Sequence, residues 1–162
     1  MIKVENISHQ YADSDRKALS ELSLDIEKGR FLAVIGPNGS GKSTFIRHLN
    51  GLFLPCEGRV TVDGLDTLDE NNLRAIREKV AFVFQNPDNQ IVASSVEEDI
   101  AFGPENLGLA PQEIDRRVED ALAACNLTTL RDKPPYLLSG GEKQRWAIAG
   151  ACAMDFDYLV LD

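Results

Sequence analysis

The chain is poor in the residues that build metal centres and disulfide frameworks. Its 162 residues include three cysteines and two histidines. Cys56, Cys125 and Cys152 are widely spaced and follow no metal-ligand pattern, so packing is the role expected of each. His9 and His48 likewise form no ligand cluster in the sequence. No apolar run reaches the roughly 20 residues that a membrane-spanning helix needs. The opening Met1-Ile2-Lys3-Val4-Glu5-Asn6 lacks the basic, then apolar, layout of a signal peptide, which predicts a protein made and kept in the cytosol. Positive charge is scarce as well. Seventeen Lys and Arg face 26 Asp and Glu, a net charge of −9, which argues against general nucleic-acid binding. Phosphate ligands stay open, because backbone N–H groups and one or two local cations are enough to hold them. There is no internal repeat, low-complexity tract or linker. What remains, 43% hydrophobic and 27% charged residues, is an ordinary globular composition of a length that fits one domain.

Hydrophobic patterning divides the chain into strands and helices. Ile2 to Ile7 and Leu22 to Ile26 alternate apolar and polar residues, as half-buried strands do. Phe31-Leu32-Ala33-Val34-Ile35 is continuously apolar and predicts a strand covered on both faces. Lys42 to Leu49 predicts a helix with Asn50-Gly51 as its stop. Gly58 to Gly64 predicts a short strand between turns, and Val80 to Phe84 a second buried-type strand. Three helices are expected next. Ser95 caps one with Glu97, Glu98 and Asp99 in its first turn, where the helix dipole favours carboxylates. Pro111 opens another, with Ile114, Val118, Ala121, Leu122 and Cys125 on one face. Ser139 to Met154 forms the third. Tyr158-Leu159-Val160-Leu161 is a last buried-type strand. Buried strands separated by helices imply an α/β fold with a parallel sheet covered on both faces.

Between the Phe31–Ile35 run and the helix after it lies Gly36-Pro37-Asn38-Gly39-Ser40-Gly41-Lys42-Ser43-Thr44, which satisfies GxxxxGK[ST]. Glycines let the chain curl with its N–H groups turned inward, a nest for anionic oxygens. The helix that follows adds its positive end. Lys42 reaches the terminal phosphates of a nucleotide, and the Ser43 hydroxyl is a ligand suited to Mg²⁺. At average residue frequencies a chain of this length meets the pattern by chance about once in 200. The loop alone leaves kinases, GTPases and transport ATPases open.

Three further segments narrow the choice. Leu138-Ser139-Gly140-Gly141-Glu142-Lys143-Gln144-Arg145 resembles the LSGGQ signature of ABC ATPases. Phe84-Gln85 ends a strand as that family's Q-loop glutamine does, and Tyr158 to Asp162 resembles its Walker B strand with the terminal aspartate. Phe84-Gln85-Asn86-Pro87-Asp88-Asn89-Gln90, followed by Val96 to Asn106, looks like the ATPase subunits of energy-coupling factor (ECF) transporters, which import vitamins or transition-metal ions. The resemblance covers the whole chain. It implies a P-loop NTPase fold of the ABC type, with a mainly parallel core sheet, an antiparallel N-terminal β part and a helical signature subdomain. It divides the chain into an ATP-binding core at 1–84, a Q-loop and helical signature region at 85–155 and the Walker B strand at 156–162.

The same resemblance assigns roles. Gly36 to Thr44 bind the phosphates of ATP, and Tyr11 stacks on adenine. Ser43, Gln85 and Asp162 hold Mg²⁺, with Lys42 and Gln85 acting on the transferred phosphate. Leu138, Ser139, Gly140, Gly141 and Glu142 bind the ATP of a second ATPase subunit in a homo- or heterodimer. The segment Asp88–Asn106 faces a transmembrane coupling subunit, a separate membrane subunit selects the substrate, and the ATPase sits on the cytoplasmic face of the membrane. No nucleic-acid partner is implied. On residue chemistry alone, Ser139-Gly140-Gly141 also reads as a capped helix start, Gln85 as a surface amide, and Tyr11 as a packed loop tyrosine.

The sequence departs from the family pattern in three places. The glutamate that follows the Walker B aspartate, and a later histidine that completes the γ-phosphate site, are absent from the 162 residues. Since phosphoryl transfer is mostly positioning and electrostatics, binding of ATP without measurable turnover is the expectation for this stretch, read as part of a longer ATPase. Phe156 replaces the usual proline before the Walker B strand, and Trp146 replaces a smaller apolar residue in the signature helix. The competing class is an ABC-type domain working on DNA or ribosomes, which the acidic charge disfavours.

Overall fold

The alternating N-terminal pattern becomes a four-stranded antiparallel sheet. A computed structural model describes all 162 residues, and the chain separates into two units, Met1–Val80 and Ala81–Asp162. In the first unit, β1 (Ile2–Gln10) pairs on one side with β2 (Lys17–Ile26) and on the other with β3 (Glu57–Val62), and β4 (Leu65–Asp66) extends the edge. The β1–β3 register sets Ile2 opposite Val62 and Val4 opposite Val60, so four apolar residues meet in two cross-strand pairs. All four are buried. The register shifts between Glu5 and Ser8, next to Asn6 at a positive φ of 48°. This bulge lets Ile7 continue the buried face.

Two short helices accompany this sheet. α1 (Lys42–His48) packs against β2 and buries Phe45 and Ile46. α2 (Leu73–Lys79) buries Ile76, and was not legible in the sequence because its polar residues outnumber its one core residue.

The expected strand at Phe31–Ile35 is corrected. These five residues belong to no strand, and Phe31 and Ile35 are 96% and 89% exposed. An apolar run becomes a strand only where neighbours complete its hydrogen-bond ladder, and neither sheet extends to this segment.

In the second unit, β5 (Val80–Val83), which begins at the boundary, lies beside β6 (Tyr158–Leu161). This pair supplies the parallel part of a mixed α/β architecture. The rest is helical: α3 (Val96–Asn106), α4 (Pro111–Ala124) and α5 (Gly140–Ala153) pack against one another. Their shared core includes Val96, Ile100, Val118, Leu122, Trp146 and Ala149. Ser95 caps α3 by accepting from the Glu98 N–H, and Pro111 opens α4, where a missing N–H costs nothing. Trp146 is fully buried, so the larger side chain at this position has been absorbed by the core. No helix is long and apolar enough to cross a membrane.

Candidate nucleotide-binding site

The phosphate loop is held from both ends by its own residues. Gly41 adopts φ +90° as the N-cap of α1, and a Cβ there would stand 2.5 Å from the Ala18 carbonyl oxygen of β2. Glycine is required on both counts, left-handed backbone and close approach. No side chain caps α1, so its first N–H groups face the loop rather than a local acceptor. Lys42 Nζ turns back into the loop and donates to the carbonyls of Gly36 at 3.0 Å and Pro37 at 2.9 Å. The Ser40 N–H donates to the same Pro37 carbonyl at 3.3 Å. An inward ammonium and uncapped helix N–H groups on one short loop form an anion cradle.

Tyr11 sits beside this loop. Its hydroxyl is 2.8 Å from Thr44 Oγ1, and its ring is 43% exposed. An exposed aromatic face tied to the phosphate-loop helix fits a base-stacking role. Beneath it, His48 is fully buried, and its Nε2 lies 3.1 Å from His9 Nδ1. No spacing in the sequence marks this pair, whose members stand 39 residues apart and are brought together by the packing of α1 on the sheet.

The second unit carries the other expected site residues. Gln85 is exposed just beyond β5. Asp162 follows β6, its N–H donating to the Val83 carbonyl at 2.9 Å, so both side chains emerge at the same end of the two-stranded sheet. Sequence reasoning missed the residue that fastens this strand end. Gln90 Oε1 accepts from the Phe84 N–H at 2.7 Å, and Gln90 Nε2 donates to the Phe82 carbonyl at 3.4 Å. It missed an ion pair too: Lys143 of α5 reaches Asp88, in the short turn after Gln85. The spacing of neither pair marks it in a sequence.

Ser139 N-caps α5 within a full capping box. Ser139 Oγ accepts from the Glu142 N–H, and Glu142 Oε2 accepts from the Ser139 N–H at 2.7 Å. The serine hydroxyl donates to the same carboxylate oxygen, also at 2.7 Å. These bonds, led by the hydroxyl, hold the Glu142 carboxyl below its ordinary value, so it is charged at neutral pH. Gly140 and Gly141 have open space where a Cβ would stand, so the helix start is accessible to an outside group.

A strand-free loop of glycines closing on a lysine, followed by a helix, defines a P-loop nucleotide-binding protein. Comparison narrows the class. The ABC transporter family model matches residues 19–162, and the chain belongs to that family. It is 52% identical over its whole length to the energy-coupling factor transporter ATP-binding protein EcfA1 of Clostridioides difficile, covering 59% of that protein. It is 48% identical to the cobalt import ATP-binding protein CbiO of Syntrophus aciditrophicus, covering 58% of it. The structure of cbiO1 from Clostridium perfringens, part of the ABC transporter complex cbiONQ, superposes with a TM-score of 0.88 at 38% identity, over 99% of this chain and 64% of that one. The chain thus spans about three fifths of the length of the relatives it matches.

Proposed function

We propose that the chain is the nucleotide-binding part of an ATP-hydrolysing subunit that powers an ECF-type importer of vitamins or transition-metal ions. The observation that carries this reading is the anion cradle of Gly36 to Thr44 with Lys42 turned into it. The names of its relatives supply the transport context. In this reading Lys42 exchanges its two carbonyl partners for terminal phosphate oxygens, a charge-assisted and therefore stronger bond. Tyr11 stacks on the adenine. Ser139 to Gly141 offer their helix start to the ATP of a second ATPase subunit, a two-fold arrangement in which each protomer completes the other's site.

The donors assigned to Mg²⁺ are the Ser43 hydroxyl, the Gln85 amide oxygen and the Asp162 carboxylate. All are hard oxygen ligands, and their number suits an ion that keeps several waters and phosphate oxygens. Bound there, Mg²⁺ would neutralise phosphate charge. Gln85 would link the nucleotide to the Asp88–Asn106 segment, on which Val92 and Phe102 expose apolar surface to a transmembrane coupling subunit. The protein then works at the cytoplasmic face of a membrane.

The test is ATP hydrolysis by the complete protein, alone and with its membrane partners in liposomes. Hydrolysis that rises with the partners and drives uptake supports the reading. Activity indifferent to them, or tight salt-sensitive binding to DNA or ribosomes, would sink it.

A further inference from the structure

The first unit gathers four rings that the sequence keeps apart: His9 and Tyr11 at the end of β1, His48 in α1 and Phe53 after it. His48 Nδ1 lies 2.7 Å from the Thr44 carbonyl oxygen. A carbonyl only accepts, so Nδ1 carries the proton and, in the neutral ring, Nε2 is a lone pair. The His9 Nδ1–H therefore donates to His48 Nε2 across 3.1 Å. His9 in turn stacks on Phe53, with centroids 5.2 Å apart and an interplanar angle of 7°, and meets Tyr11 edge-on at 4.9 Å and 80°. Tyr11 returns to Thr44 through its hydroxyl. Thr44 thus holds both ends of one circuit, its carbonyl through the two histidines and its hydroxyl through the tyrosine.

We propose that His9 and His48 are positioning residues for the base half of the nucleotide site. Their mutual hydrogen bond sets the tilt of the Tyr11 ring against the phosphate-loop helix. The inference rests on the reading of Tyr11 as the base-stacking aromatic. The device acts on ligands that carry a base and leaves bare polyphosphate alone.

It is also a device with room for one extra proton. A proton added at His9 Nε2 leaves the bond between the rings in place. A second, at His48 Nε2, sets N–H against N–H and breaks it. Burial pushes His48 below its ordinary value, and His9 opposes its charging further. The other groups facing the cluster are the Tyr11 phenol and Arg47 of α1, whose guanidinium carbon lies 5.4 Å from the Phe53 ring centre.

The experiment compares binding of a non-hydrolysable ATP analogue with that of inorganic tripolyphosphate, by calorimetry on the complete protein. His9→Phe keeps a ring against Tyr11 and Phe53 and removes the donor. His9→Asn keeps an N–H near the place of Nδ1. The expected result for His9→Phe is about a tenfold loss of analogue affinity, the scale of one hydrogen bond, with tripolyphosphate binding unchanged. His9→Asn recovers most of the loss. In the wild type the ratio of the two affinities holds through neutral pH and falls only under acid conditions that protonate the buried His48, whereas in His9→Phe it is low and flat.

Equal weakening of both ligands in His9→Phe, or an unchanged analogue affinity, overturns the proposal. Tyr11→Ala separates the two readings. If it leaves the ratio untouched, the base-stacking assignment fails and the inference with it. If it abolishes the preference while His9→Phe does not, only the inference fails.

Discussion

Glu142 takes both protons of Ser139: one carboxylate oxygen lies 2.7 Å from the serine nitrogen and 2.7 Å from its hydroxyl oxygen. The fifth residue of the signature-like segment is therefore occupied in capping its own helix. Where the resembling motif has glutamine, this chain puts a full negative charge beside the helix start proposed to meet a partner's phosphates. Capping and phosphate binding compete for the same hydroxyl.

Glu142→Gln keeps a capping acceptor, since glutamine serves the capping box as well, and removes the charge. ATP-dependent dimerisation is expected to strengthen by about threefold to tenfold at low ionic strength. The gain should vanish near 1 M salt, where the Debye length is about 3 Å. Sedimentation velocity with Mg·ATP across a salt series is the check. A gain that persists at high salt would show that charge is not the cause.

Lys42→Ala removes the cation that spans the Gly36 and Pro37 carbonyls. A charge-assisted bond to phosphate is worth about 1.5–3 kcal/mol, so ATP affinity should fall about tenfold to a hundredfold. The bonds lost are local to the loop, and the melting temperature should move little. Titration with a fluorescent nucleotide and a thermal melt on the same sample test both halves.

Gly41→Ala combines two costs. It forces a Cβ onto a left-handed residue at φ +90° and drives it to 2.5 Å from the Ala18 carbonyl. The backbone term alone is about 1–2 kcal/mol, and the clash with main chain adds to it. Nucleotide binding should be lost and the melt shifted down by several degrees. Normal binding would mean that the loop tolerates a different path.

Glu113 is clasped by Arg116 and Arg117 on α4, which hold its carboxyl at about 2. A depressed carboxyl stabilises the fold at every pH above its unfolded value near 4.5, and the contribution is lost as pH falls through about 2. Glu113→Gln should therefore melt slightly lower than the wild type at neutral pH, by about 1–2 °C given how exposed the cluster is. The two melting curves should converge between pH 4.5 and pH 2. Melting temperatures recorded across that range decide it, and a constant gap would remove Glu113 as the source.

The elements whose residues interact locally were the legible ones. Ser95 and Pro111 mark helix starts because caps and missing donors act within one turn. The GxxxxGK[ST] loop reads directly because its geometry depends on its own glycines. Leu138 to Arg145 announced a helix start, but its glutamate hid the capping box behind a resemblance to glutamine. Long-range consequences stayed hidden. Phe31 to Ile35 has the composition of a buried strand and stands exposed, because composition does not say which neighbour completes a ladder. His9 and His48, Asp88 and Lys143, and Gln90 on the end of β5 meet through the fold and carry no spacing that signals it. α2 was missed because its single buried residue, Ile76, makes no period.

Lys42 gives the phosphate loop a particular energetic character. In the carbonyls of Gly36 and Pro37 its ammonium has two substitutes for solvent, so the cation does not have to be stripped of a full water shell when a nucleotide arrives. On the proposed reading, binding becomes an exchange of neutral dipoles for anionic oxygens around a charge that is already in place. The same exchange would free two backbone carbonyls, and their release would register a terminal phosphate in the path of the chain at the start of the loop.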